Sequence, residues 1–301
     1  MKICLCIIYN HNYEKNIRKI ECLYAERFDT IYHLMPFYSN ECGGEKKKSN
    51  SEKVISIYES SHNFEGYVAQ GIKRFYSDIF DYYIFVADDL ILNPSITQDN
   101  IIDILKCNEN TAYIKQLDFL TKKKKLRYIP FTEYFYFNKK IYHWSNAPED
   151  LNDHGWYIKE TENCLTDSRF FKITQFITEK TEAVQKCITK GIPVNEIQES
   201  GTDYPRFLSF SDFFVVPKRF IKQFSRLCGA YAASNLHAEV AVPTALFYSC
   251  DHIMTEKEIE WFGAQKHKMN EDIIDGITLE KSFEEKQLFV HPVKLSLCNI
   301  E

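Results

Sequence analysis

Asp88 and Asp89 stand side by side directly after the apolar run Tyr82-Tyr83-Ile84-Phe85-Val86-Ala87. Adjacent carboxylates in such a place can hold a divalent cation, which in turn holds a phosphate. The run reads as a strand buried on both faces, as in the interior of a mostly parallel sheet. Open α/β sheets bind ligands beyond the carboxyl ends of their strands, so both acids fall where a nucleotide site is expected. The competing reading is structural: Asp is common in turns, and the pair would then turn the chain or cap the next helix.

Three other segments bear polar groups toward the same chemistry. The first apolar run ends in Tyr9-Asn10-His11-Asn12-Tyr13, which suits stacking on a base and hydrogen-bonding it, or is an ordinary strand-to-helix turn. Ser60-Ser61-His62-Asn63 precedes a helix, where a free N-terminus favours phosphate and where Ser and Asn also serve as simple caps. Near the end of the chain, Phe289-Val290-His291-Pro292-Val293-Lys294 flanks a short strand with His and Lys. A lone His is more often structural; with a carboxylate pair elsewhere, His291 becomes a third metal ligand or a diphosphate contact.

The elements that must position these groups alternate. Ile3 to Tyr9 reads as strand, Glu14 to Phe28 as helix and Thr30 to Met35 as strand closed by Pro36; Val54 to Tyr58 is a further strand and Glu65 to Ser77 a helix. This order implies a parallel sheet wound right-handedly. Helical pattern returns over Ile96 to Lys106, then strand over Thr111 to Leu117. Residues 121–157, with Lys122-Lys123-Lys124-Lys125 and a dense aromatic cluster, read as an insertion or lid. A helix over Arg169 to Thr189 stops at Gly191. Strand Ser211 to Val216, a helix from Pro217 to Leu227, a helix starting near Glu239 because Pro243 cannot lie deep inside it, and a capping box at Thr255-Glu256-Lys257-Glu258 complete the second half. One domain is expected over 1–301, with residues 1–95 forming its nucleotide-binding half and 96–301 its acceptor-side half.

Composition narrows the class. The chain has 301 residues, 45% of them hydrophobic, enough for a sizeable core. A net charge of −5 and the lack of a basic recognition motif argue against nucleic acid. Ten cysteines without a Cys-x-x-Cys pair fit a reducing cytoplasm rather than a disulfide framework. The opening apolar run is too short for a signal peptide, and no stretch approaches the roughly 20 apolar residues of a membrane span. The four-lysine run is a solvated loop or, alternatively, a peripheral contact with an anionic membrane surface.

Taken together, Tyr9-Asn10-His11, the helix with Glu65-Gly66-Tyr67-Val68-Ala69-Gln70-Gly71, the strand ending Ala87-Asp88-Asp89 and the late His291-Pro292-Val293-Lys294 resemble the GT-A superfamily of glycosyltransferases. The resemblance covers most of residues 1–95 and scattered points afterward. It implies a Rossmann-like, mostly parallel central sheet flanked by helices. It also implies Mn²⁺ or Mg²⁺ on the diphosphate of a nucleotide-sugar, with Asp89 and His291 as metal ligands and Tyr9, Asn10, His11, Gln70, Asp88 and Lys294 around the donor. Ala87 stands where the family's Asp-x-Asp motif has its first acid, a departure that bears on metal dependence. Asn235 to Thr244 resembles the helix start where inverting members carry their base. There the positive end of the helix would keep Glu239 ionised, ready to take a proton from an acceptor hydroxyl; a plain helix-stabilising role is the alternative, and Asp212 is the competing base. The implied activity is sugar transfer from a nucleotide-sugar to a glycan or lipid-diphosphate-linked acceptor in bacterial surface-polysaccharide assembly. A sugar nucleotidyltransferase and an inactive nucleotide- or glycan-binding module are the alternatives.

Overall fold

The computed structural model describes residues 1–39, 41–42, 45–46, 53–61, 63–119, 180–199, 206–233, 236–265, 283–298 and 300. The expected insertion at 121–157, the four-lysine run, His62 and the first part of the helix expected from Arg169 lie outside them.

The centre is a seven-stranded sheet. Its strands in chain order are β1 (Ile3–Ile8), β2 (Ile31–Pro36), β5 (Val54–Ile57), β6 (Tyr82–Ala87), β8 (Thr111–Ile114), β11 (Phe213–Pro217) and β12 (His252–Met254); in space they run β12-β8-β11-β6-β1-β2-β5. β1, β2, β5 and β6 are parallel neighbours, whereas β11 is antiparallel to both β6 and β8. The sheet is therefore mixed but mostly parallel, an α/β arrangement compatible with a Rossmann-like fold. β1 and β6 are buried along their whole length, which is why they read as unbroken apolar runs. Two short strands, β3 (Glu41–Cys42) and β4 (Glu45–Lys46), pair as a hairpin, and β9 (Asp118–Phe119) pairs with β10 (Phe207–Leu208). A three-stranded sheet joins β7 (Ile91–Leu92), β13 (Phe262–Gln265) and β14 (Gln287–His291).

Helices α1 (Glu14–Tyr24) and α2 (Phe64–Phe75) are the connections in the first half. The helical pattern over Ile96 to Lys106 yields a single turn, α3 (Ile101–Ile104). Helix α4 (Lys180–Thr189) ends at Gly191, whose φ of 82° is the left-handed conformation that glycine adopts without strain; α5 (Val194–Glu199) follows. Helix α6 (Lys218–Ala233) is longer than expected and runs through Gly229, which faces α2: a Cβ there would stand in ordinary contact with Ala69, at 3.4 Å. Helix α7 (Ala238–Ser249) contains Pro243, which has no N–H to give the Glu239 carbonyl. The Ser209 N–H donates to that carbonyl instead, at 3.0 Å. The Thr255–Glu258 box forms its contacts, with the Thr255 N–H donating to Glu258 Oε2 at 2.7 Å, but it closes a turn and opens no helix.

One buried acid lies in the first turn of α2. Glu65 is 0% exposed, and neither carboxylate oxygen has a hydrogen-bond partner among the described residues. Burial, and next the charge of Glu59, push its carboxyl well above the ordinary 4.5. The folded protein keeps a proton there that the unfolded chain loses above about pH 4.5, so this stability is present in acid and declines as pH rises toward the folded pKa. Glu65→Gln should abolish a loss of up to about 1.4 kcal/mol per pH unit over that window. Urea unfolding of both proteins at pH 5.5 and 7.5 measures it; identical pH dependence in the two would show that Glu65 does not titrate this way.

Candidate active site

Strand direction brings the acids to one edge. Ile8 of β1 pairs with Ala87 of β6, so Asn10 and Asp88–Asp89 leave the sheet together. Since β11 runs the opposite way, the residue preceding it, Asp212, arrives at this same edge, and its carbonyl accepts from the Ala87 N–H at 2.8 Å. Lys115 follows β8 there as well. The small sheet supplies the last member: β7 begins two residues after Asp89, pairs with β14 through Ile91 and Val290, and the Val293 N–H donates to the Asp89 carbonyl at 2.7 Å. His291 is thereby carried from the far end of the chain to the acid pair.

The resulting cluster is held by charge and hydrogen bonds. Asp88 is buried; its Oδ1 accepts from the Asn10 N–H at 3.0 Å and its Oδ2 from Asn16 Nδ2 at 3.5 Å. Burial, together with the neighbouring Asp89 charge, still raises Asp88 to about 7, those hydrogen bonds notwithstanding. His291 Nε2 lies 3.5 Å from Asp89 Oδ2 and 3.9 Å from Asp212 Oδ2. Burial opposes its charged form, but the Asp89 hydrogen bond and the two carboxylate charges outweigh burial and raise the imidazole above its usual 6.5. Asp212 is pushed up to about 6 by burial, which the His291 charge offsets in part.

Glu239 enters through the loop before β11. Ser209 bonds to the Glu239 carbonyl, Ser211 Oγ donates to the Ala238 carbonyl at 3.2 Å, and the Phe207 N–H donates to Thr244 Oγ1 at 3.0 Å. These bonds stitch the approach to Asp212 onto the first turns of α7. The helix start was expected to keep Glu239 ionised. Instead, burial first and the Asp212 charge second push it to about 8, so it holds a proton at neutral pH. Burial of a carboxylate outweighs the few tenths to about 1 kcal/mol that a helix terminus supplies.

Two of the residues expected around the donor face elsewhere. The Tyr9 ring is 0% exposed, with its hydroxyl 2.8 Å from His33 Nδ1, so it is a core group and not a stacking surface. Gln70 spends its amide on the Tyr58 backbone, accepting from its N–H at 2.8 Å and donating to its carbonyl at 3.2 Å. Asn10 contributes its backbone N–H, while exposed His11 packs edge-on against Tyr13. Lys294 is exposed just beyond the strand end.

Sequence reasoning missed Asn16 and Lys115. Asn16 shares the buried stripe of α1 with Ile20 and Tyr24, and a polar residue on an apolar stripe was the available signal. Lys115 ends a fully buried strand by the same rule that singled out the Asp pair. Its ammonium donates to the Gly263 carbonyl at 2.9 Å, stands 3.9 Å from Glu256 Oε1 and lies near the rings of Phe210 and Phe289, and burial lowers its pKa. Phe210 also meets the His291 ring edge-on at 5.0 Å.

A cation would find one ready acceptor here. Asp89 Oδ1 is buried and has no hydrogen-bond partner among the described residues. Among the described residues no three His, Cys, Asp or Glu side chains form a cage. That donor set suits Mg²⁺ or Mn²⁺ held by one or two carboxylates with the remaining positions left to phosphate and water. No helix among the described residues is long and apolar enough to cross a membrane. No protein-family model matches this chain, and no curated protein matches it.

Proposed function

We propose that the protein is a nucleotide-sugar-dependent, metal-assisted, inverting glycosyltransferase that transfers a sugar to a hydroxyl of a glycan or lipid-linked acceptor. The observation that carries this reading is the meeting of Asp89, Asp212 and His291, from three distant parts of the chain, at the carboxyl edge of a mostly parallel sheet. Asp89, with an oxygen that accepts no hydrogen bond among the described residues, would hold the cation, and a bound cation neutralises the departing diphosphate. His291, whose charged form its two carboxylate neighbours favour, offers a further positive charge to that diphosphate. Asn10 and Asn16 fix Asp88 beneath them. Glu239, with its pKa near the working range, takes the proton of the acceptor hydroxyl as the new bond forms.

A melting-temperature screen over nucleotide-sugars, with and without Mn²⁺, tests the reading. A donor at a hundredfold excess over its Kd stabilises the native state by about 2.7 kcal/mol, a rise of about 5 °C for a chain of this size. The expected result is a rise that needs both donor and cation, and release of nucleoside diphosphate once an acceptor or water is used. No rise with any donor would overturn the proposal; a rise with no turnover would leave a binding module.

A further inference from the structure

Two large aromatic rings are left exposed at the edge that carries the acids. Phe37, directly after β2, is 61% exposed, and Tyr58, directly after β5, is 72% exposed; the rings meet edge to face with centroids 6.0 Å apart. Their positions are fixed even though neither ring is used in the core. The Phe37 N–H donates to the Ile57 carbonyl at 2.8 Å, and Asn12 Nδ2 donates to the Phe37 carbonyl at 3.1 Å. Phe37 has a φ of 51°, a left-handed conformation uncommon for a bulky side chain and retained only where surrounding bonds enforce it. Tyr58 is gripped on both sides of its backbone by the Gln70 amide.

Strand register fixes where this pair stands relative to Asp89. Ala87, Ile8, Leu34 and Ile55 are paired partners across β6, β1, β2 and β5. Two residues on, Pro36 and Ile57 are still paired, Phe37 and Tyr58 come one residue later, and Asp88 and Asp89 turn off the end of β6 directly after Ala87. Neighbouring strands are about 4.8 Å apart, so the ends of β2 and β5, which Phe37 and Tyr58 follow, lie about 10 Å and about 14 Å across the edge from the end of β6, which Asp88 and Asp89 follow. An extended nucleoside diphosphate has that reach. Between the two ends lies the β1 loop with exposed His11 and Tyr13.

We propose that Phe37 and Tyr58 form the platform on which the heterocyclic base of a nucleoside diphosphate stacks, with its terminal phosphate at Asp89. This inference rests on the nucleotide-sugar reading of the acid cluster. A flat base has a π face to lay against such rings, and stacking of this kind tolerates different bases. The platform accordingly accounts for binding of a base without choosing among bases. It also gives Gln70 a task, since its amide holds the Tyr58 backbone in place.

Calorimetric titration of the wild-type protein and of the Phe37→Ala/Tyr58→Ala double variant tests the platform. The probes are UDP, GDP, CDP and ADP, and pyrophosphate as a base-free control, all with Mn²⁺. The double variant should bind the nucleoside diphosphate preferred by the wild type about 10- to 100-fold more weakly and pyrophosphate equally well. Its melting temperature should stay unchanged, because both rings are exposed. Phe37→Leu/Tyr58→Leu, which keeps bulk but removes the π faces, should show most of the same loss. Nucleoside diphosphate binding that Asp89→Asn weakens but the double variant leaves intact would overturn the platform alone. Equal weakening for pyrophosphate would also overturn it, and a wild type that binds none of these probes would overturn the nucleotide-sugar reading as well.

Discussion

Asp89→Asn should lower sugar-transfer turnover by at least about 100-fold while the ligand-free protein melts within about 2 °C of wild type. The carboxylate is partly exposed, with one oxygen 3.5 Å from His291 Nε2 and the other buried without a hydrogen-bond partner among the described residues, so it contributes little to the core. Asparagine keeps its shape and removes its charge. Loss of a charge that binds a cation on the leaving diphosphate is worth several kcal/mol of transition-state stabilisation, at about 1.4 kcal/mol per tenfold. Exposed substitutions typically move stability by only about 0.5 kcal/mol. The substitution also leaves an electrostatic signature: the Asp89 charge raises Asp88, Asp212 and His291, so all three should titrate lower in the variant, which NMR titration measures. Those shifts with unchanged turnover would take Asp89 out of the chemistry.

The half of the fold that holds this residue was the more legible from sequence. Strands buried on both faces must be apolar throughout, so Ile3–Ile8 and Tyr82–Ala87 announce themselves, and their crossover helices carry the 3.6-residue stripe. Direction is not written in such a run. Phe213–Pro217 has the same all-buried pattern whether parallel or antiparallel, and only its pairing with β6 and β8 shows the reversal that puts Asp212 at the site. Local signals were misleading where tertiary packing set the outcome. The box at Thr255–Glu258 makes its hydrogen bonds within a turn, and Gly229, a stop signal by itself, lies inside α6 on the side that faces α2.

Site residues divide along the same line. The strand-end rule identifies Asp88 and Asp89, because position along a strand is a one-dimensional property. Which way a side chain points is not. Tyr9 adds one more inward residue to β1 and is lost to the His33 hydrogen bond, whereas Asn10 turns its backbone N–H to Asp88. Gln70 and Tyr58 are twelve residues apart and form one clip, which no spacing rule foretells. His291 reaches Asp89 only because a two-residue strand after the acid pair captures β14. The link between Asp212 and Glu239 likewise depends on a carbonyl left free by Pro243 and taken by Ser209.

That link shapes the behaviour expected of Glu239→Gln, which should reduce turnover by about 10²- to 10⁴-fold, the usual contribution of a positioned general base. Glutamine keeps the volume and the hydrogen-bonding reach yet cannot accept the proton. Burial and the Asp212 charge set the wild-type carboxyl at about 8. A base works in its deprotonated form, so wild-type turnover should climb with pH and level off above about 8, with about a tenth of the molecules competent at pH 7. Asp212 and Glu239 are mutually coupled, so the limb belongs to the pair, but its position still separates the candidates: Asp212 as base would place it near 6. In the Gln variant the limb near 8 should vanish and nucleotide-sugar affinity should hold, because the base meets the acceptor and not the donor. Loss of donor affinity together with fast single-turnover transfer, or a limb near 6 that survives the substitution, would move the base to Asp212.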